Sequence, residues 1–294
     1  MTRYIVATLL LLGYFHSGQA EEQDASVDIV ETFYQEVDVR RSPRFVVQGV
    51  SVAQQIHYQI RSSFEVASPD KKGNFKAVQT VENATLLEAD ALSQAVFTQS
   101  LADLIGQKYS YQFDRNHEII AMTGHTSNTE IIEVKAPNST GTLVSTVIDE
   151  DGWKELAQLT LFRPLDQRSP NDPFVRKAEH DWGSLGSWYG KTTFTRTGSQ
   201  RAVTNYRYQH QLEYNKPNGP GDLPFAIVDA KFQAYEAGGI IVFDAKAKHV
   251  HRVQERFQAK GTVETTMLGV AATIAIDEQQ EFIINVVGYQ RKTK

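Results

Sequence analysis

The sequence predicts a mainly β protein, a β-rich α+β fold whose long curved antiparallel sheets form a half-barrel or an open sandwich with one or two short helices packed on a sheet. Three observations predict it. Residues 205–287 hold successive runs of alternating polar and apolar side chains separated by short turn signals. Residues 55–66 show the same period of two. Helical spacing of apolar residues is found instead in 86–105 and 153–162, the second of which Asp149 or Asp151 can cap.

The N-terminus has the pattern of a secretory signal peptide, residues 1–20. Arg3 precedes an apolar run from Ile5 to Leu12, and small residues at Gly18 and Ala20 precede the acidic Glu21. A membrane anchor is the alternative, but the run is much shorter than the roughly 20 residues that a spanning helix needs. We therefore predict cleavage near Ala20 and a soluble mature protein that is secreted or periplasmic.

Composition excludes several classes of protein. There is no cysteine, so disulfides, thiolate metal sites and a lipid-modified cysteine are excluded. The formal charge of −5, more negative still once Arg3 is removed, argues against a nucleic-acid partner or an anionic membrane surface. No later segment reads as transmembrane, and 41% hydrophobic residues over 294 positions can build a large core. The oligomeric state is not indicated.

Composition and periodicity also divide the mature chain. We predict a loose N-terminal lead over 21–43, a first β half over 44–162 with the inserted helix 86–105, a crossing segment over 163–190 and a second β half over 191–294. The crossing segment is rich in proline and polar residues at its start and in aromatic residues and glycine at its end. There, Trp182 and Trp188 fit a structural corner that plugs the end of a sheet, with a ligand site as the alternative.

The two halves are similar enough to suggest a duplicated β unit. Tyr58 and Phe64 correspond to Tyr206 and Leu212 on matching strand faces, and residues 111–113 correspond to 241–243. The helix 86–105 would then be an insertion in the first copy. The alternative is that all β meanders look alike, and both interpretations stay open.

The C-terminal strands are unusually long for a globular protein. Thr262 to Ile276 reads as one strand, far longer than the usual 5 or 6 residues, with a bend or bulge near Gly269. Such a strand must curl. The concave face of a curled sheet is either filled by core side chains or open as a cavity for an apolar ligand.

Candidate ligand-binding residues come from the inward faces of the predicted strands. Tyr206, Tyr208 and His210 alternate on one face, where a dry core would use aliphatic residues, because each buried hydroxyl needs a hydrogen-bond partner. They indicate a partly wet cavity wall. Tyr208→Ala should then weaken binding of a hydrophobic probe and cost less stability than the roughly 3 to 5 kcal/mol typical of emptying a packed aromatic site. A hydrogen-bonded core histidine is the alternative for His210. The full candidate set is Tyr58, Phe64, Tyr206, Tyr208, His210 and Phe232.

No catalytic, metal or cofactor motif stands out. Ser184 and Ser187 lack the Gly-x-Ser-x-Gly elbow, and His180 and Asp181 are too close in sequence to serve one serine. His249 and His251 share a predicted face, but no third metal ligand is indicated, which favours a surface pair. We therefore predict no catalytic residue, no metal ligand and no cofactor, and rank an enzyme below two other classes.

The signal peptide, the helix 86–105 between strands and the long strands through 262–287 resemble uncharacterised secreted bacterial β proteins. More distantly they resemble the periplasmic lipoprotein-carrier fold, in which helices close a curved antiparallel sheet. The absence of cysteine excludes the lipid-anchored variants of that fold. The resemblance implies handling of apolar ligands or lipoproteins at the cell envelope. Two hypotheses follow: an exported carrier of an apolar or lipid-like ligand, or a structural or protein-interaction module with a filled core.

Overall fold

The structure is a computed structural model, and it describes residues 28–47, 49–125, 130–136, 139–145, 147–165, 172–182, 185–217, 226–267 and 270–292. The predicted signal peptide therefore lies outside the described residues. Within these ranges, no helix has the length and apolar character needed to cross a membrane.

Strands dominate the described chain, as the sequence predicted. They are β1 Ile29–Arg41, β2 Arg44–Val47, β3 Val50–Ala53, β4 Ile56–Ala67, β5 Phe75–Ala89, β6 Lys108–Phe113, β7 Ile119–Thr123, β8 Glu130–Ala136, β9 Ser139–Ser145, β10 Phe174–Asp181, β11 Ser187–Gln200, β12 Val203–Asn215, β13 Ala226–Asp244, β14 His249–Met267 and β15 Val270–Arg291. The two helices of the described ranges are α1 Ala91–Leu104 and α2 Glu150–Thr160.

All strands except the β8–β9 hairpin belong to one antiparallel sheet in the described part of the chain. Its order is β10-β11-β12-β13-β14-β15-β1-β4-β5-β6-β7, with β2 on the first part of β15 and β3 on β2. β15 is long enough to pair with β2 through Ile274–Asp277 and with β1 through Gln280–Arg291. The first and last strands of the described chain are thus joined in the middle of the sheet.

The sheet curls around α2 without closing. The helix contacts β7 and β10, the two edge strands, and also β14 and β15 in the middle. Arg176 on β10 donates from Nη2 to the carbonyl oxygen of Asn116, in the turn between β6 and β7, at 2.8 Å. One side chain therefore spans the gap between the two edges, and the expectation of an open, strongly curved sheet is confirmed.

Local sequence explains why α2 forms where it does. Asp149 is its N-cap, with the extended φ of −79° and ψ of 176°, and its Oδ1 accepts from the Gly152 backbone N–H at 2.7 Å. The negative charges of Glu150 and Asp151 in the first turn interact favourably with the positive end of the helix dipole. The helix buries residues on two successive turns against the concave face of the sheet: Trp153, Leu156, Ala157, Leu159 and Thr160.

The apolar core consists of two clusters. The larger joins both helices to the concave face of the sheet, with Phe33, Phe64, Phe97 and Trp153 among its members. The smaller cluster lies beneath the long strands β13 to β15 and β2, and its buried members are Phe45, Leu185, Ala230, Val263, Ile274 and Ile276.

The structure corrects the first half of the predicted organisation. Residues 21–43 were predicted as a loose lead, but β1 occupies 29–41 and lies between β15 and β4, because its alternating side chains bury Phe33, Val37 and Val39. The predicted helix over 86–105 is shorter. Leu86 to Ala89 still pair with β4, and the helix begins after Asp90, whose carboxylate accepts from the backbone and side chain of Ser93.

The second half is corrected in two places. The crossing segment 163–190 includes β10 and the start of β11, because its residues from Phe174 onward alternate and pair as an edge hairpin. The single strand expected over 262–276 is the end of the β14–β15 hairpin, in which Thr262 pairs with Ala275. Val263 and Ile274 pair with each other across the two arms and are both buried in the smaller core cluster. The bend predicted at Gly269 lies outside the described residues.

The duplication stays a prediction. The matched residues Tyr58 and Tyr206 both face the core. Residues 241–243 pair directly with β12, however, while 111–113 on β6 are separated from β4 by β5. Both halves share one continuous sheet.

Candidate functional site

A cavity of about 730 Å³ lies on the concave side of the sheet, beside α2. Residues of both core clusters and of α2 line this cavity, which lies between the two clusters. Its volume is within the range of about 300 to 1,000 Å³ that is typical of small-molecule sites.

Most of one wall is apolar and aromatic. Trp182 and Trp188 meet edge to face at 5.1 Å between ring centroids, and Trp182 meets Phe232 in the same way at 5.4 Å. The aromatic and aliphatic side chains of this wall are Phe45, Trp182, Leu185, Trp188, Leu212, Phe232, Phe257, Ile276 and Phe282. A wall of this composition favours an apolar ligand.

Glycine makes room for the large rings on the neighbouring strands. Phe232 on β13 pairs with Gly261 on β14, where a Cβ would come within 2.3 Å of the Phe232 ring. Tyr208 on β12 pairs with Gly239 on β13, where a Cβ would lie 2.8 Å from the tyrosine oxygen. Because β13 carries no side chain at this point, Tyr208 reaches across it to β14.

Three ionisable side chains meet at the cavity: Glu155 from α2, His210 from β12 and Glu255 from β14. One nitrogen or oxygen of each lies within 4.8 Å of the others. His210 Nε2 is 3.6 Å from Glu255 Oε2, and these side chains are only 11% and 4% exposed. Glu155, at 35% exposure, projects into the cavity. We call these three residues the acidic cluster.

Further side chains hold the acidic cluster in place. The Tyr208 hydroxyl donates to Glu255 Oε2 at 2.5 Å, and His210 Nδ1 is 2.7 Å from Thr192 Oγ1. Thr192 lies on β11, so three strands, β11, β12 and β14, contribute side chains to the arrangement together with α2. Each partner fixes one side of a charged group and leaves the other side turned toward the cavity.

The cluster perturbs the acidity of its members. Burial and the carboxylate of Glu255 raise the pKa of Glu155 above its ordinary value. Burial alone would lower the pKa of His210, but the carboxylates of Glu255 and Glu155 raise it. Burial and the neighbouring Glu255 raise the pKa of Tyr208 well above its usual range, which keeps its hydroxyl a donor. Two carboxylates so close together favour a bound proton or another cation.

Two ion pairs flank the cluster along the cavity. His180 Nε2 is 3.0 Å from Asp149 Oδ2. Burial would lower the pKa of His180, but the Asp149 carboxylate raises it to about 10, so this imidazole is charged at neutral pH. Arg41 Nη2 is 3.1 Å from Glu278 Oε1. His180 Nδ1 also lies 4.0 Å from Glu155 Oε2, whereas Arg41 is matched by Glu278.

The cavity receives half of the predicted ligand-binding residues. Tyr58, His210 and Phe232 line it, and the Tyr58 hydroxyl donates to the Val147 carbonyl oxygen at 3.1 Å. The other three belong to the packed core. Phe64 stacks on Phe33 at 5.0 Å, Tyr206 meets Phe162 edge to face at 5.5 Å, and Tyr208 stacks on Phe194 at 5.6 Å. They do not line the cavity because neighbouring side chains of the larger core cluster cover them. A binding role for the six residues stays a prediction.

The sequence reasoning missed the two glutamates. Glu255 left a usable signal, because it replaces an apolar residue between Val253 and Phe257 on the inward face of a strand. Glu155 left none, since it lies beside Leu156 on a helix whose orientation depends on the sheet around it. Trp182 and Trp188 do form the predicted aromatic corner, and this corner is also cavity wall.

The other candidate catalytic and metal groups lie apart from the acidic cluster. His249 stacks on Tyr289 at 4.0 Å, and His251 Nε2 is 3.5 Å from Asp244 Oδ2. His180 pairs with Asp149, not with a serine, and Ser184 lies outside the described residues. Among the described residues, Glu155, His210 and Glu255 are the one group of three or more side chains placed to share a metal ion.

No family model and no curated protein matches this sequence. Among solved structures, it is similar to one described as lipid–protein interactions in lipovitellin, with 9% identity and a TM-score of 0.43 over 92% of this chain. The matched part is 26% of that chain, so this chain spans about a quarter of its length. It is also similar to a DUF1329 family protein from Desulfovibrio piger, with 10% identity and a TM-score of 0.15 over 90% of this chain and 87% of that one. Both likenesses are too distant to assign a function.

Proposed function

We propose that this protein binds an apolar or lipid-like ligand in the cavity beside α2. The observation that carries the proposal is the cavity itself, about 730 Å³ between the curled sheet and α2, lined on one side by aromatic and aliphatic side chains. A filled structural core would leave no such space, because protein interiors are close-packed. The predicted signal peptide would direct the protein to the periplasm or to the outside of the cell. N-terminal sequencing of the exported protein, expected to begin at Glu21, tests that part.

The apolar wall and the acidic cluster suggest how the ligand is oriented. Burying apolar surface against Trp182, Trp188 and Phe232 contributes about 25 cal/mol per Å². The acidic cluster on α2, β12 and β14 would repel an apolar tail, since its charged groups would lose water without gaining partners. We therefore expect the apolar part of the ligand to lie along the aromatic wall.

The experiment compares the same substitution at two positions of β13. Phe232→Glu places a charge in the apolar wall, whereas Tyr235→Glu places it at a position that is 60% exposed. Binding of the fluorescent probe N-phenyl-1-naphthylamine should weaken by at least about tenfold in the first variant and stay unchanged in the second, because a buried charge costs several kcal/mol. Native mass spectrometry of the purified protein should also detect a copurified lipid.

The structural or interaction module is the alternative outcome. It would be favoured if the parent protein bound no probe and carried no lipid while both variants remained folded. Equal probe affinity in Phe232→Glu and Tyr235→Glu would place the probe outside the cavity and would also count against a carrier.

A further inference from the structure

The acidic cluster has the donor atoms of a divalent metal site. Glu155 and Glu255 supply carboxylate oxygens and His210 supplies Nε2, all within 4.8 Å of one another. Metal–ligand bonds of about 2.0 to 2.2 Å bring such donors to within about 4 Å of each other. The adjustment is about 1 Å, which rotation of one glutamate side chain covers.

His210 Nε2 is a second, independent observation. The side chain is 11% exposed, and Nε2 is buried without a hydrogen-bond partner among the described residues. Its nearest charged atom, Glu255 Oε2 at 3.6 Å, is beyond hydrogen-bonding distance. A buried ring nitrogen without a partner is costly, and here it faces two carboxylates that could share a cation with it.

The surrounding residues match the outer shell that metal ligands require. His210 Nδ1 lies 2.7 Å from Thr192 Oγ1, which can accept a hydrogen bond from Nδ1–H in the tautomer that leaves Nε2 free to bind a metal. Tyr208 donates to Glu255 Oε2, so one ligating carboxylate is also oriented by a hydrogen bond. These contacts fix two of the three ligands before any ion arrives.

Charge balance points the same way. The cluster holds two carboxylates and one imidazole. Arg41 is paired with Glu278, and His180 is shared between Asp149 at 3.0 Å and the more distant Glu155 at 4.0 Å. A dication would neutralise the excess negative charge. The cavity on the open side leaves coordination positions for water or another ligand, as in zinc sites with three protein ligands.

We propose that Glu155, His210 and Glu255 form a binding site for one divalent transition-metal ion that opens into the cavity. Mixed oxygen and imidazole ligands without sulfur suit Zn²⁺, Mn²⁺ and Fe²⁺ better than Ca²⁺ or Cu⁺. The site is separate from the aromatic wall of the proposed carrier. Metal binding and probe binding can therefore be measured, and can fail, independently of each other.

The test is titration of the chelator-treated mature protein with Zn²⁺ by calorimetry, repeated with Co²⁺ for its visible absorption. We expect one equivalent to bind. Glu155→Gln should weaken binding by more than about 100-fold, because it removes a ligand, and Thr192→Val by about 10 to 100-fold, because it removes an outer-shell partner. The melting temperature of metal-free Glu155→Gln should be no lower than that of the parent, which separates loss of the site from loss of the fold.

His251→Ala is the matched control, because it removes a histidine that lies outside the acidic cluster, next to His249 at 4.6 Å between ring centroids. Its Zn²⁺ affinity should equal that of the parent. Failure of the parent to bind one equivalent, unchanged affinity in Glu155→Gln, or loss of binding in His251→Ala would each overturn the proposal.

Discussion

Helix α2 separates two buried polar clusters that differ in charge and in completeness. On one side, Gln35 donates to Thr160 at 2.6 Å, Gln79 donates to Gln35 at 3.0 Å and to Ser62 at 3.1 Å, and Tyr111 donates to Gln79 at 2.7 Å. We call these residues the amide network. On the other side is the acidic cluster, which is charged and has a buried nitrogen without a partner. The first is sealed in the core, and the second opens into the cavity.

The difference separates a structural role from a binding role. The amide network uses neutral groups that satisfy one another, so it can be buried at little cost and fixes α2 on β1 and β5. The acidic cluster gathers like charges and leaves a ring nitrogen free, which costs stability in the absence of a ligand. Buried polar atoms that lack a hydrogen-bond partner and lie beside a cavity are available to bind a ligand.

The largest expected effect is at Tyr208, which forms the boundary between the acidic cluster and the aromatic core. Its side chain is 2% exposed and stacks on Phe194. Tyr208→Ala should therefore lower the free energy of unfolding by about 3 to 5 kcal/mol, as for other emptied aromatic sites. Urea denaturation measures it. A loss below about 1 kcal/mol would instead support the wet wall that the alternating sequence pattern suggested.

Gln35→Leu should have the next largest effect, because it breaks the amide network. It removes the donor to Thr160 and an acceptor for Gln79, both buried. Each lost hydrogen bond leaves a buried polar group that costs about 1 to 3 kcal/mol, so we expect a total loss of about 3 kcal/mol. Probe and Zn²⁺ binding should be unaffected at temperatures where the variant is folded. Loss of Zn²⁺ binding in the folded variant would show that the two clusters are coupled through α2.

His117, a partly buried side chain at the C-terminal end of α2, makes the free energy of unfolding depend on pH. His117 Nδ1 donates to the carbonyl oxygen of Leu161 at 3.0 Å, and burial together with the charge of Arg163 lowers the pKa of His117 to about 4. The folded state keeps this imidazole neutral, while the unfolded chain protonates it below about pH 6.5. The stability that neutral His117 contributes is therefore fully present above about pH 6.5 and is lost as the pH falls toward 4.

His117→Asn tests this sign, because asparagine tolerates the φ of 61° at this position and does not titrate. The parent should lose about 2 kcal/mol more than the variant between pH 7.5 and pH 5. Unfolding curves at both values measure the difference. Parallel loss in the two proteins would mean that His117 does not carry the pH dependence.

The smallest effect has the opposite sign. Glu155→Gln should raise the free energy of unfolding of the chelator-treated protein by about 1 kcal/mol, because it removes one of two like charges near each other. The reverse substitution in the amide network, Gln79→Glu, would bury a new charge there and should lower the free energy of unfolding. If both variants lost stability, the contrast between a complete and an incomplete cluster would not hold.

The strands could be predicted from the sequence because the alternation of polar and apolar residues is a local property. The alternating residues of β4 and β12 had to lie on opposite faces of a strand, and the aspartate before α2 had to satisfy the first helical N–H groups. The same local pattern could not place β1 at the centre of the sheet, since its partners on β15 lie at the other end of the chain. Nor did it divide residues 262–276 into two strands, because the reversal of the chain shows only in the pairing of Thr262 with Ala275.

The sequence by itself determined a mainly β chain with two helices, no cysteine and an inward row containing His210. The tertiary structure alone decided that Tyr58 and Phe232 line a cavity and that Tyr206 and Tyr208 do not, because Phe162 packs against Tyr206 and Phe194 stacks on Tyr208. It also decided that Glu155, His210 and Glu255 meet. Residues from a helix and two non-adjacent strands come together only when the sheet curls, and the curl depends on the pairing of all its strands.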